Sequence, residues 1–289
     1  MNAKLAPADA TIDAIFIELQ PHLSSAAQVQ QARTFVHQFF SRVAEDDVAV
    51  RDAKTWAALL RGLMDFIRVR GANAPSVRVF NPSLENDGWE SNYTVVEIAT
   101  NDMPFLVDSI GIAAHEQGLS LHGLIHPVYF IARDPGGNLL SLATDDSNKG
   151  KPESVMYLEV DRLSELAEME RLQKAMVLAL HDVAAAVADW PAMKAKMLEM
   201  ADNVGKWKLP LDATGVADAQ EFLRWAATDH FTFLGYREYQ VVKKGDDEVL
   251  EASPKTGLGI LRGGEKQVAP RSLKTLVSHE LRKSGTATR

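Results

Sequence analysis

The segment Asn101-Asp-Met-Pro-Phe-Leu-Val-Asp-Ser109 gathers residue types that could seat a small charged ligand. A β-branched run, Thr94 to Ala99, stops just before it, and a helical pattern through Ile110, Ile112 and Ala113 to Gly118 starts just after it. A strand therefore hands over to a helix within a few residues. The first N–H groups of a helix have no internal partner and carry the positive end of the dipole, so an arriving carboxylate is favoured there. Asn101, Asp102 and Ser109 add polar side chains, and Asp108 could pair with an ammonium. Together these are the parts of an amino-acid binding site, with Asn101, Asp102, Met103, Pro104, Phe105, Asp108 and Ser109 as the candidate contacts. Asp102 is also the expected N-cap, with Pro104 near the first helical turn. A purely structural reading stays open, in which Asp102 only caps the helix and Met103, Phe105, Leu106 and Val107 only fill the core.

Other chemistry-bearing patterns lead less far. Gly257-Leu-Gly259-Ile-Leu-Arg262-Gly263-Gly264 lacks the third glycine of a dinucleotide fingerprint, because Arg262 stands there; a turn between strands is the expectation. No phosphate-binding GxxxxGK[ST] and no GxSxG occur. His115-Glu116 opens like a zinc motif, but Leu119 takes the place of the second ligand. His122 and His126 are placed on a strand and His115 on a helix, so no metal site is expected. The pairs Asp46-Asp47, Asp145-Asp146 and Asp246-Asp247 read as solvated charges at turns and helix ends. No catalytic residue and no cofactor-binding residue is assigned.

These residues sit in a chain of 289 residues with 46% hydrophobic and 24% charged residues, long enough for two domains. Its net charge of −8 gives no basic face for nucleic acid. No apolar run approaches the ~20 residues of a bilayer span, so no membrane partner is expected. No signal peptide is visible and cysteine is absent, which excludes disulfides and thiolate metal sites. A cytoplasmic location is the expectation.

Residues 1–72 form a helical N-terminal segment, with apolar stripes at Ala32, Phe35, Val36, Phe39 and Phe40 and again at Trp56, Leu59, Leu60, Leu63 and Ile67. Beyond Pro75 the period changes from 3.6 to 2. Strands are predicted near 77–79, 94–99, 119–132, 139–143 and 155–160. A turn falls at Asp134-Pro-Gly-Gly-Asn138, and helices at 104–117 and 163–200, the last breaking at Trp190-Pro191. This order gives an α+β fold at 73–200, an antiparallel or mixed sheet with the 104–117 and 163–189 helices on one face. Residues 201–216 have linker composition. A helix at 217–228 and a strand at 231–242 then open a second, incomplete α+β unit over 217–289.

Several blocks carry a resemblance together. Val77-Arg-Val-Phe-Asn-Pro82, Gly88-Trp89, Ser91, Thr94-Val-Val-Glu-Ile98, Asn101–Ser109 and Ile125-His-Pro-Val128 resemble the N-terminal region of the large bacterial NAD-specific glutamate dehydrogenases. Phe222-Leu-Arg-Trp225, Asp229-His-Phe-Thr-Phe-Leu-Gly-Tyr-Arg-Glu-Tyr239 and Gly257-Leu-Gly-Ile-Leu-Arg262 continue it in the same order. The resemblance implies ACT-like domains, one complete over 73–200 and one begun at 217–289. It implies a regulatory or assembly role without catalysis, within a longer enzyme that uses NAD to oxidise glutamate; NAD would belong to that parent and not to this stretch. It further implies the remainder of the same polypeptide and a homo-oligomer as partners, and places an amino-acid effector at the Asn101–Ser109 turn. One departure stands out: many effector-binding ACT domains have glycine after the proline of this turn, and here Phe105 follows Pro104.

Overall fold

A computed structural model describes residues 9–262, except 73, 208, 210, 245, 246 and 254, together with 271–272. The chain divides into two compact units, Met1–His181 and Asp182–Arg289.

In the first unit, α1 (Asp9–Leu19), α2 (Ala26–Phe40), the short α3 (Glu45–Val48) and α4 (Ala53–Phe66) follow the apolar stripes. Ser25 and Asp52 cap α2 and α4, accepting the N–H of Gln28 and Thr55. The stripes converge on an aromatic core of Phe35, Phe39, Phe40 and Trp56, all at most 1% exposed.

The sheet is built from β1 (Ser76–Phe80), β2 (Thr94–Asn101), β3 (Leu121–Ile125), β4 (Val128–Arg133), β5 (Leu139–Ala143) and β6 (Lys151–Val160). Its order is β1-β2-β6-β4-β5, with β3 also on β6, and every pairing is antiparallel. The α+β expectation therefore holds. The predicted strand across 119–132 is two strands, because Pro127 has no N–H to give the ladder. Pro127 instead accepts a bond from the Val155 N–H through its carbonyl.

Alternation assigns the two faces. Val95, Ala99, Tyr129, Ile131, Val155 and Tyr157 join the core of the N-terminal helices. Val96, Ile98, Met156, Leu158 and Val160 point the other way and are equally buried. The apolar residues buried outside the N-terminal core lie on α5 (Leu106–Glu116), as Leu106, Ile110 and Ala113, and on α6 (Leu166–Asn203), as Leu172, Met176 and Leu180. The sheet is thus an inner layer, with α5 and the first part of α6 on the face away from α1, α2 and α4.

The predicted break at Pro191 does not occur: α6 runs through it, giving up only the one N–H that proline lacks. Contrary to the sequence reading, this helix is long and apolar enough to cross a membrane by length and composition, with a window of mean hydropathy 1.2. Leu172, Met176 and Leu180, at most 2% exposed, give it the buried stripe of a core helix.

The second unit, after the remainder of α6, holds α7 (Ala213–Trp225) and short antiparallel pieces: β7 (Gly235–Tyr236), β8 (Tyr239–Lys244), β9 (Asp247–Ala252), β10 (Leu258–Gly259) and β11 (Arg271–Ser272). The strand predicted over 231–242 is therefore two, β7 and β8. Gly259 sits at φ +59°, and a Cβ there would lie 2.1 Å from the Leu234 carbonyl oxygen, so only glycine fits. Its N–H donates to Asp189 at 2.7 Å, and Arg262 bonds the same carboxylate, through Nε at 2.9 Å and through Nη2. The glycine-rich stretch is not wholly the turn between strands that was expected: Leu258–Gly259 form β10 on β7, and only residues 260–262 turn; Gly263 and Gly264 lie outside the described residues.

Candidate functional site

The Asn101–Ser109 turn leaves the end of β2, and the pleat separates its first two side chains. Asn101 faces the N-terminal helices, where its Oδ1 accepts from Arg70 Nη2 at 2.8 Å. Asp102 lies on the other side, where its Oδ1 accepts from the buried Ser154 hydroxyl at 2.6 Å. Asp102 is consequently not the N-cap. The helix starts two residues later than predicted, at Leu106, and its N-cap is Phe105 at φ +71°, with no capping side chain. Phe105 thus adopts the left-handed backbone that glycine takes without strain, at the position where glycine was expected from effector-binding relatives. The N–H groups of the first turn of α5 are left without a side-chain acceptor.

Asp108 is exposed and forms no hydrogen bond or ion pair among the described residues. Ser109 and Met103 are half-buried, while Pro104 and Phe105 face solvent. Of the seven predicted contacts, Met103, Pro104, Phe105, Asp108 and Ser109 form an open shelf with a free carboxylate and a bare helix end. Asn101 and Asp102 are committed elsewhere.

Two polar groupings beside the turn were not foreseen. The first is Asp102, Ser154 and His126, with His126 Nε2 2.9 Å from the Ser154 oxygen. It is not a nucleophilic triad. Ser154 gives its proton to Asp102, so the histidine must act as donor rather than base, and Ser154 is fully buried. Burial, outweighing the pull of Asp102, holds the His126 pKa below the ordinary range.

The second is Glu153 between two arginines. Its carboxylate takes Arg70 Nε at 3.0 Å, Arg133 Nε at 2.8 Å and Arg133 Nη2 at 2.9 Å. Glu153 is 2% exposed and Arg70 4%. Burial opposes the charge, but hydrogen bonds and attraction from Arg133 and Arg70 hold the carboxyl below its usual range. Arg70 also reaches Asn101, so this cluster fixes the strand end from which the turn departs. A hint was present: Glu153 shares the inward face of its strand with Val155 and Tyr157.

The histidines disperse. His122 bonds Asp161 at 2.7 Å, His126 faces Ser154, and His115 is exposed on α5. Among the described residues no three His, Asp or Glu side chains form a metal-sized group.

Residues 35–176 match the family described as Glutamate dehydrogenase, ACT1 domain. The chain is 35% identical over 247 residues to an NAD-specific glutamate dehydrogenase of Pseudomonas aeruginosa, covering 84% of this chain and 15% of that protein. It is 32% identical over 232 residues to one of Halomonas elongata, covering 79% of this chain and 14% of that protein. A Mycobacterium tuberculosis protein of the same name is 28% identical over 168 residues. The chain therefore spans about one seventh of the length of these two nearer relatives, and with its ACT1 domain at 35–176 it belongs to the N-terminal region of the NAD-specific glutamate dehydrogenase family.

Proposed function

We propose that this chain is a non-catalytic regulatory and assembly region of an NAD-dependent glutamate dehydrogenase, whose parent reaction converts L-glutamate and NAD to 2-oxoglutarate, ammonia and NADH. The names of the relatives support the parent reaction, and the ACT1 match supports the role. The observation that carries an effector site is the start of α5: unsatisfied N–H groups for a carboxylate, with the exposed, unpaired Asp108 in the same first turn for an ammonium. In this proposal residues 217–289 begin a second ACT-like domain, and the enzyme works in the cytoplasm.

A specific feature favours assembly without an effector. β3 pairs only with β6, so its outer edge is open among the described residues, and the exposed Leu121 and Ile112 stand on β3 and α5. A second copy of the chain pairing there would make a homo-oligomer.

Thermal unfolding against a panel of amino acids at millimolar concentration tests both. A bound effector stabilises by mass action, about 2.7 kcal/mol at a hundredfold excess over Kd. Asp108→Asn is expected to remove the share of that gain that comes from the α5 shelf, without altering the fold. Sedimentation of the wild type and Leu121→Lys reads assembly, with the variant expected as monomer. A wild type that is monomeric and insensitive to every amino acid would defeat the proposal.

A further inference from the structure

A second candidate site lies away from the Asn101–Ser109 turn, under the Ser83–Trp89 loop. Here a half-open cavity of about 200 Å³ lies between α4, the β1–β2 pair and the loop. Its deepest polar group is Glu97, 1% exposed in the middle of the apolar strand Thr94–Ala99. Arg78 stands directly opposite on β1 and takes one oxygen, Glu97 Oε2, through Nε at 2.9 Å and Nη2 at 2.5 Å. The other oxygen, Oε1, has no partner among the described residues. A buried carboxylate oxygen without a donor is costly, and costlier when charged.

Charge in the cavity says which donor fits. Asp87 repels Glu97 from the loop, and Asp65 adds a third carboxylate from α4. Arg78 is already committed to Glu97 and to the faces of Phe66 and Phe80. Arg61 is the remaining cation lining the cavity; among the described residues its polar contact is a 3.3 Å approach of Nη1 to His22, while its Nη2 lies beside Gly88 of the loop. The cavity therefore offers a carboxylate oxygen that lacks a donor and a guanidinium that lacks an anion among the described residues. From the sheet, Tyr157 lies beside Glu97 on β6, but its hydroxyl is turned to Glu159, so it supplies no proton to Oε1.

We propose that this cavity binds a small α-amino acid, with its ammonium on Glu97 Oε1 and its carboxylate on Arg61. The volume admits a molecule of that size. The site is independent of the α5 shelf, and neither depends on the other being occupied. Burial and the nearby Asp87 raise the Glu97 pKa to about 7 even with Arg78 attached. Ammonium binding needs the ionised form, so affinity should rise as pH climbs through 7.

Calorimetry on the full chain tests this with glycine, L-alanine and L-glutamate, and with ethylamine and propionate as halves of the ligand. At pH 8 at least one amino acid is expected to bind, ethylamine more weakly, and propionate not at all. Glu97→Gln keeps the shape and should weaken binding roughly tenfold or more and flatten its pH dependence. Arg61→Gln, on the helix surface and safe for folding, should weaken it similarly. Asp108→Asn should leave it unchanged. The proposal falls if no amino acid binds at millimolar concentration, if Arg61→Gln binds as the wild type does, or if Asp108→Asn is the variant that loses binding. That last outcome would return the ligand to the α5 shelf.

Discussion

Replacing Glu153 by Gln should be among the most damaging isosteric changes available in the first unit. The wild-type carboxylate, 2% exposed, receives four contacts from two guanidiniums. Arg70 Nε and Arg133 Nη2 meet Oε2; Arg133 Nε and Arg70 Nη2 meet Oε1, the last at 2.9 Å. The amide keeps one acceptor, turns its NH₂ toward donors and leaves two buried cations facing each other. Removing one partner of a buried ion pair costs about 3–5 kcal/mol, against ~0–1 kcal/mol for an exposed pair such as Arg68–Asp65. The pH dependence follows from the lowered pKa of Glu153. Its contribution is fully present above the unfolded-state value near 4.5 and is lost as pH falls through the folded one. Urea unfolding read by amide exchange in β2 and β6 measures this at pH 7 and again on acidification. The wild type should lose its advantage over Glu153→Gln in acid, while Asp65→Asn should track the wild type throughout. A loss below ~1 kcal/mol at pH 7, or a gap that survives acid, would refute the argument that the two arginines are held by a charge.

Two further outcomes are expected. Phe105→Gly should raise stability by up to about 1 kcal/mol, because it relieves the left-handed strain, whereas Phe105→Ala keeps that strain and should not; thermal unfolding of both checks this. Gly259→Ala should cost more than ~1 kcal/mol and expose the Gly259 amide to exchange, since its Cβ would meet the Leu234 carbonyl oxygen; unchanged protection there would count against it.

Much of the architecture was legible because burial leaves a periodic trace. The stripe from Trp56 to Ile67 and the alternation at Thr94–Ala99 identified α4 and β2 from side-chain type alone. The failures have local causes. Leu119–Ala132 is rich enough in strand formers to read as one piece, and the interruption comes from the single missing N–H of Pro127. Asp102 looked like a cap because aspartate before a helix usually is one; its preference for Ser154 depends on β6, fifty residues away in sequence. Phe105 could not be foreseen in a conformation that its side chain disfavours. The shelf residues were found by type, but their separation to opposite faces of β2 is a property of the pleat and register. Glu97 could have been noticed as a charge inside the apolar run Thr94–Ala99, whereas Glu153 lay outside the strand predicted at 155–160. Nothing local, however, names Arg78, Arg70 or Arg133 as their partners.

Arg70 has a bearing on how this region could be cut or inherited. It lies at the exit of the helical segment, donates its N–H to the Gly137 carbonyl, and sends its side chain to Glu153, Ala74 and Asn101. A polypeptide begun at residue 73, where sequence alone would place a domain boundary, would keep Glu153 and Arg133 but forfeit the second cation. It would also bare Val95, Ala99 and Tyr157 to water. Such a fragment should aggregate or fail to fold, whereas one that starts before α1 retains every group. For recombination between genes, the permissible crossover therefore falls ahead of the helices. The helices and the sheet travel as one heritable piece, and protein engineers moving this region into another protein would have to take both.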